Sequence, residues 1–198
     1  DRQYWGIMAS NYCKNLVYDE CVFSRFDAHK GVYDATIRNS KIGYMSIKAI
    51  GHGTLMVENT TVYGRRFIDL RKDYGSTWNG DVIIRDCVFV PGGGRHVSLI
   101  GGYNTGQHDF GYTCYMPERI TIDTLRIDDS NHPDNYNGPA VFSNLNPKMK
   151  DADYVEKYPV VRTREVILKN ISTASGKPLR VSDNPVMFKD VEVKRINE

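Results

Sequence analysis

The chain has 198 residues, 40% of them hydrophobic, which suits one domain with a continuous core. Its 26 Lys and Arg are nearly balanced by 24 Asp and Glu, so there is no basic stripe of the kind that tracks nucleic acid. No apolar run approaches the length of a membrane-spanning helix, and no secretory signal is visible.

Residues 1–14 are aromatic and irregular. The opening Asp1-Arg2-Gln3-Tyr4-Trp5-Gly6, with neither a start Met nor a capping helix, reads as the interior of a longer chain. From Tyr18 onward a six-residue unit recurs: Tyr18 to Phe23, Ile37 to Ile42, Val57 to Val62, Ile84 to Phe89, Ile122 to Ile127, Leu168 to Ser172 (one residue short), and Phe188 to Val193. The two most similar copies, Ile37-Arg38-Asn39-Ser40-Lys41-Ile42 and Val57-Glu58-Asn59-Thr60-Thr61-Val62, lie 20 residues apart within Asp34–Arg71. Repetition at that spacing marks a stack of similar units.

Each unit alternates apolar and polar residues with period two and favours Val, Ile, Thr, Phe and Tyr, so the units are predicted strands. Gly, Asn, Asp and Ser lie between them, with no helical pattern and no leucine ladder. Strand and turn at this pitch predict an all-β chain, a single parallel β-helix of about seven coils over residues 1–198. Coils are expected at 15–33, 34–52, 53–79, 80–117 and 118–163, with two more completing the chain. The Gly-, Asn- and Tyr-rich insertions Arg71–Gly80, Gly101–Pro117 and Asp128–Gly138, and the polar Lys148–Thr163, are expected on one face as long loops.

The third position of the unit reads Glu20, Asn39, Asn59, Asp86, Thr124, Asn170, Asp190. Such a row, stacked at equivalent corners, is expected to be a structural ladder that hydrogen-bonds up and down the stack. That role discounts the glycosylation patterns at Asn59 and Asn170. Cys21 and Cys87 share one repeat position three units apart, roughly 14 Å by stacking, too far for a disulfide. Both are expected in the core, and all four cysteines, Cys13 and Cys114 included, are expected to be reduced.

A second strand follows each unit. Phe26 and Ala28, Ile47 and Ala49, and Ile68 and Leu70 point inward in the expected register. Asp27, Lys48 and Asp69 then line up outward on successive coils, flanked by His29, Lys30, His52 and Arg71. A charged solvated face would look the same.

The unit pattern resembles the right-handed parallel β-helix proteins of the pectate-lyase-like superfamily, which includes polysaccharide lyases, polygalacturonase-type hydrolases and phage tailspikes. The resemblance covers nearly the whole chain and is architectural. It implies binding, and cleavage by β-elimination or hydrolysis, of an acidic polysaccharide. The alternative from the same resemblance is a non-catalytic shaft of a phage tail or a cell-surface adhesin, homotrimeric if a tail protein. An extracellular, cell-surface or virion setting follows from either.

For a lyase, Lys48, His52 or Lys30 is the candidate base, with Arg71 or a bound Ca²⁺ neutralising the uronate carboxylate. Lys30 and His52 are expected as neighbours one coil apart, with Gly51 where related lyases carry an Arg. For a hydrolase, Asp27 and Asp69 lie two coils apart, about 9.6 Å by stacking, at the wide end of the inverting range. Gly51-His52-Gly53 looks like the polygalacturonase tripeptide, although the Asp-Asp and Asn-Thr-Asp that accompany it there, and the Arg-x-Pro-x-x-Arg of pectate lyases, are missing.

Of the 13 tyrosines, several fall in loops, and Tyr74, Trp78, Tyr103, Tyr112 and Tyr115 are candidate sugar-stacking residues together with Phe110 and Tyr136. His108-Asp109 is a further candidate acid/base pair there. Asp128, Asp129 and Asp134, with Asn131, form a candidate Ca²⁺ loop whose spacing does not match an EF-hand.

Overall fold

The computed structural model describes residues 4–71, 77–102, 113–143, 160–182, 184 and 188–196. The described chain is all-β, with strands and no helix, and its strand pairings are parallel throughout.

The strands fall into three lanes. The first holds β1 (Ile7–Asn11), the opening residues of the long strands β4 (Arg25–Arg38) and β6 (Ile47–Glu58), then β8 (Arg66–Leu70), β10 (Ser98–Gly101), β13 (Ala140–Phe142) and β16 (Arg180–Ser182). The second holds β2 (Lys14–Asp19), the remainder of β4 and β6, then β9 (Trp78–Val90), β12 (Arg119–Ile127), β15 (Glu165–Thr173) and β17 (Glu192–Ile196). The third runs through β3 (Val22–Phe23), β5 (Lys41–Ile42) and β7 (Thr61–Tyr63) into the end of β9. Because β4 and β6 bend from one lane into the next without a break, fifteen strands count as one sheet. A separate pair joins β11 (Cys114–Tyr115) to β14 (Val160–Val161).

Parallel register stacks like residues on like. Phe26, Ile47, Ile68, Ile100 and Phe142 form one buried column. Ile37, Val57, Ile84, Ile122 and Leu168 form a second, and Phe23, Ile42, Val62, Phe89 and Ile127 a third. All belong to one core cluster, in which each side chain removed from water contributes on the order of 2 kcal/mol.

Between the second and third lanes the chain turns at the third position of the repeated unit. Glu20, Asn39, Asn59, Asp86, Thr124 and Asn170 all have φ between 42° and 58°. Non-glycine residues rarely adopt this left-handed conformation, and Asn and Asp tolerate it best. Their amides also chain together. The Asn59 side-chain N–H donates to Asn39 Oδ1 at 2.8 Å, and Asn39 donates to Asp19 Oδ1 at 2.7 Å.

The next residue forms a second ladder of small polar side chains. Ser40 Oγ donates to the Arg38 carbonyl (2.6 Å) and accepts the Cys21 amide (3.0 Å). Thr60 Oγ1 donates to the Glu58 carbonyl (2.8 Å) and accepts the Ser40 amide (3.3 Å). Cys87 ends this row with its thiol on the Arg85 carbonyl, and burial pushes its pKa up to about 12. All four cysteines are free thiols, as expected, but Cys21 is only half-buried. The strand that follows it, β3, pairs on one side alone, so the stack does not close over it.

The seventh unit departs from the expectation. Residues 188–190 form a turn, and Val193, not Phe188, pairs into the stack, opposite Val166. The column of Ile122 and Leu168 therefore continues into Arg195. Phe188 packs face to face on Phe142 at 4.3 Å, and Asp190 lacks the left-handed φ of its counterparts.

Replacing Asn59 with Ala is expected to cost about 1–2 kcal/mol, since Ala resists the left-handed conformation and cannot bond to Asn39. Asn59→Gly should recover much of that loss. Urea unfolding of both variants checks it, and equal losses would sink the backbone account.

Candidate functional site

The outer side of the first lane carries the charged row. Register aligns Asp27 with Lys48, Lys48 with Asp69, and Asp69 with Gly101. The inward partners Phe26, Ala28, Ile47, Ala49, Ile68 and Leu70 are all buried, so the alternation read from the sequence holds here.

The row is not a set of free groups. The Asp27 side chain is fully buried, and its Oδ2 accepts Arg25 and Arg71 at 2.7 Å each, with His29 Nδ1 at 4.0 Å. A buried carboxylate persists only with such partners, because desolvation of the lone charge costs several kcal/mol. Its Oδ1 has no partner. Two steps along, Asp69 binds the Lys48 ammonium through Oδ2 and Arg66 through Oδ1 (2.6 Å). The expected outward, accessible Asp27 is thus a buried anchor, covered on one side by β1, where Ala9 pairs with it.

The expected neighbours Lys30 and His52 are not opposite each other. The register between β4 and β6 shifts after Ala28 and sets Tyr33 against His52. Lys30 pairs instead with Asn11, and its ammonium lies 5.8 Å from the centre of the Tyr12 ring. Gly51 and Gly53 have a packing reason. A side chain on Gly51 would strike the Val32 carbonyl and lie 2.8 Å from the Trp78 ring, while Gly53 holds φ of 81° against Asp34.

Trp78 is a second correction. It is wholly buried, with its indole N–H donating to the Gly53 carbonyl at 3.0 Å, so it packs the core and offers no face to a sugar. Tyr136 is also buried. Tyr115 sits half-buried on β11, paired with Val161. Tyr74, Tyr103, His108, Asp109, Phe110 and Tyr112 lie outside the described residues.

The acidic loop also reads differently. Asp129 is buried and accepts the Tyr136 hydroxyl (2.8 Å), the Ser175 hydroxyl (2.6 Å) and the Ser175 amide (2.8 Å). Burial alone would raise its pKa, but these bonds outweigh it and the net shift is downward. Tyr136 is raised in turn, by burial and by its bond to Asp129. Asp128 accepts the Ser130 hydroxyl and Asp134 points to solvent, so the three carboxylates do not converge; no metal-binding group of His, Cys, Asp or Glu occurs among the described residues.

The row opens into a groove. A cavity of about 360 Å³ is lined by Lys48, Asp69, Arg65, Arg66 and His96, among others. A second, of about 590 Å³, shares Arg65, Arg66, His96, Ser98 and Ser143 with it, and adds Arg95 and Arg180. No carboxylate lines this larger cavity among the described residues.

Register explains the convergence. Arg66, Ser98, Ala140 and Arg180 occupy one column, so two arginines flank a floor of small residues. The Arg66 side chain lies flat across Gly101, where any side chain would collide with it. Arg180 is oriented by bonds to the Asn137 and Gly138 carbonyls at 3.1 and 3.0 Å. The Ser143 hydroxyl, also lining the groove, has no hydrogen-bond partner.

Sequence reading missed Arg65, Arg66, Arg95, His96 and Arg180. A signal existed: Arg65-Arg66 and Arg95-His96 are basic pairs at or just before successive first-lane strands. No family model, curated protein or solved structure matches this chain.

Removing Asp27 leaves Arg25 and Arg71 facing each other without their shared anion. Asp27→Ala is expected to lose about 3–5 kcal/mol in a urea titration. A loss under about 1 kcal/mol would mean the pair is solvated rather than buried.

Asp129 sets an acid limit. Its folded pKa is depressed below 3.8, so its contribution is complete above that value and is lost as pH falls through the folded pKa. Melting temperature should drop below about pH 4 with a shallower slope in Asp129→Asn. Identical slopes would reject this assignment.

Proposed function

We propose that the three lanes are the faces of a right-handed parallel β-helix, and that the groove along its first lane binds an acidic polysaccharide. The observation that carries this reading is the larger cavity, whose lining among the described residues holds Arg65, Arg66, Arg95 and Arg180 and no carboxylate. Guanidinium forks match carboxylate and sulfate oxygens, and an elongated run of them suits a ligand with repeating charge.

Cleavage by β-elimination is the reaction that fits this groove best. Arginines would neutralise the uronate carboxylate and so acidify the adjacent C–H. His96 would take that proton, the electron pair would form the C4–C5 double bond, and the C4–O bond would break, its oxygen leaving with a proton. Lys48 is less suited as the base, because its ammonium is held by Asp69. Two-carboxylate hydrolysis is disfavoured, since Asp27 and Asp69 are both engaged by cations.

A second reading, a non-catalytic shaft or adhesin module, is favoured by one feature. The outer strands β1, β2 and β3 expose Ile7, Met8, Val17 and Val22 on an edge suited to further strand pairing. An extracellular or virion setting goes with either reading.

The test is affinity for a panel of uronate polysaccharides, with ultraviolet absorbance of the unsaturated product followed in parallel. Arg66→Ala with Arg180→Ala should weaken binding at least tenfold, about 1.4 kcal/mol. His96→Ala should abolish the absorbance rise and leave affinity close to wild type. Absence of binding to every acidic glycan would reject the groove reading; binding without product would leave the groove as a grip and favour the shaft.

A further inference from the structure

The corner where β4 and β6 pass from the first lane into the second, and where β9 begins, carries chemistry that the groove does not use. Register stacks Lys14, Tyr33, His52 and Asn79 in one column, and all four are exposed. Tyr12 and Lys30 stand beside them. None of these six side chains lines the groove.

Two rings are presented there together with two ammonium groups. Lys14 lies 5.2 Å from the centre of the Tyr33 ring, and Lys30 lies 5.8 Å from that of Tyr12. Tyr33 is 49% exposed and Tyr12 74%.

The backbone is bent to keep them there. Register shifts occur in both pairings of β4, after Ser10 against β1 and after Ala28 against β6, and the first brings Asn11, next to Tyr12, level with Lys30. The Tyr12 amide donates to the Lys30 carbonyl at 2.8 Å. Tyr12 itself holds φ of 51°, an uncommon state for a bulky residue. Its ring lies against Gly31, where a methyl group would sit 2.8 Å from the ring edge. A bulge, a left-handed tyrosine and a glycine beneath it thus all serve the position of one ring.

We propose that this corner is a second binding site, for an acidic saccharide. The apolar face of a pyranose packs on Tyr33 and Tyr12, its carboxylate or sulfate draws Lys14 and Lys30 off the rings, and His52 and Asn79 take hydroxyl hydrogen bonds. The site gives Gly51-His52-Gly53 a function apart from the groove: Gly51 makes room for the Trp78 ring while His52 is exposed. It requires neither the groove nor any cleavage.

Tyrosine ring resonances, followed by NMR during titration with a galacturonate hexasaccharide, test the proposal. Shifts of the Tyr12 and Tyr33 rings should appear in the wild type and persist in Arg66→Ala/Arg180→Ala, which separates this site from the groove. In that background Tyr12→Ala/Tyr33→Ala should weaken binding about tenfold, as loss of two stacking rings implies. Tyr33→Phe, which keeps the ring, should retain binding and guards against a folding artefact. Four results would overturn the proposal: silent rings at millimolar saccharide, equal shifts with a neutral xylohexaose, full affinity in the double Ala variant, or response to a thymidine oligonucleotide in place of the saccharide.

Discussion

The structure depends on one backbone constraint: each recurrence must place a residue in the left-handed conformation at the same corner. Glu20, Asn39, Asn59, Asp86, Thr124 and Asn170 meet it in register. A turn of any other hand would send the following strand out of the third lane, and Phe23, Ile42, Val62, Phe89 and Ile127 would lose their shared column. The strain of roughly 1–2 kcal/mol per corner is offset by side chains that can bond locally. Asn39 and Asn59 do so with each other, which ties the corner's conformation to its height in the stack.

Charge reinforces that register. Asp19, Arg38, Glu58, Arg85, Asp123 and Lys169 occupy one column, so the sign alternates at every step. Individual contacts are modest: Arg38 meets Asp19 at 2.8 Å and Arg85 meets Glu58 at 3.5 Å, all well exposed. Their value lies in what they forbid. A recurrence skipped or doubled would oppose like charges at that step, an arrangement that is unfavourable across strands. Farther down, Glu165 is held low in pKa by Lys194, then by Arg119, which carries the same logic into β17.

Much of this was legible in the sequence because it is local and repeated. The third position of the unit, the inward set around Phe26 and Ile47, and the alignment of Asp27, Lys48 and Asp69 all follow from period two. What failed were inferences that needed the third dimension. Lys30 and His52 are separated by a bulge that leaves no mark in the alternation. Trp78 and Tyr136 sit in polar, glycine-rich stretches yet fill core space. Asp129 resembles a ligand in sequence, while its partner Ser175 is 46 residues away. Arg66 and Arg180 meet only because two intervening recurrences contribute small residues at Ser98 and Ala140.

The balance of charge elsewhere gives the groove its meaning. Along the second lane almost every charge has an opposite neighbour, and in the first lane even the buried Asp27 is matched by two arginines. Among the described residues the lining of the larger cavity holds Arg65, Arg66, Arg95 and Arg180 and no carboxylate. Guanidinium groups gathered around one cavity make its potential positive. An ordinary solvated face would scatter such charges with both signs interspersed. Asp69, which lines the smaller cavity, is held by Lys48 and Arg66, where it fixes the Arg66 head without neutralising the others. The excess of positive charge is therefore local, oriented and backed by a floor of small side chains at Ser98 and Ala140.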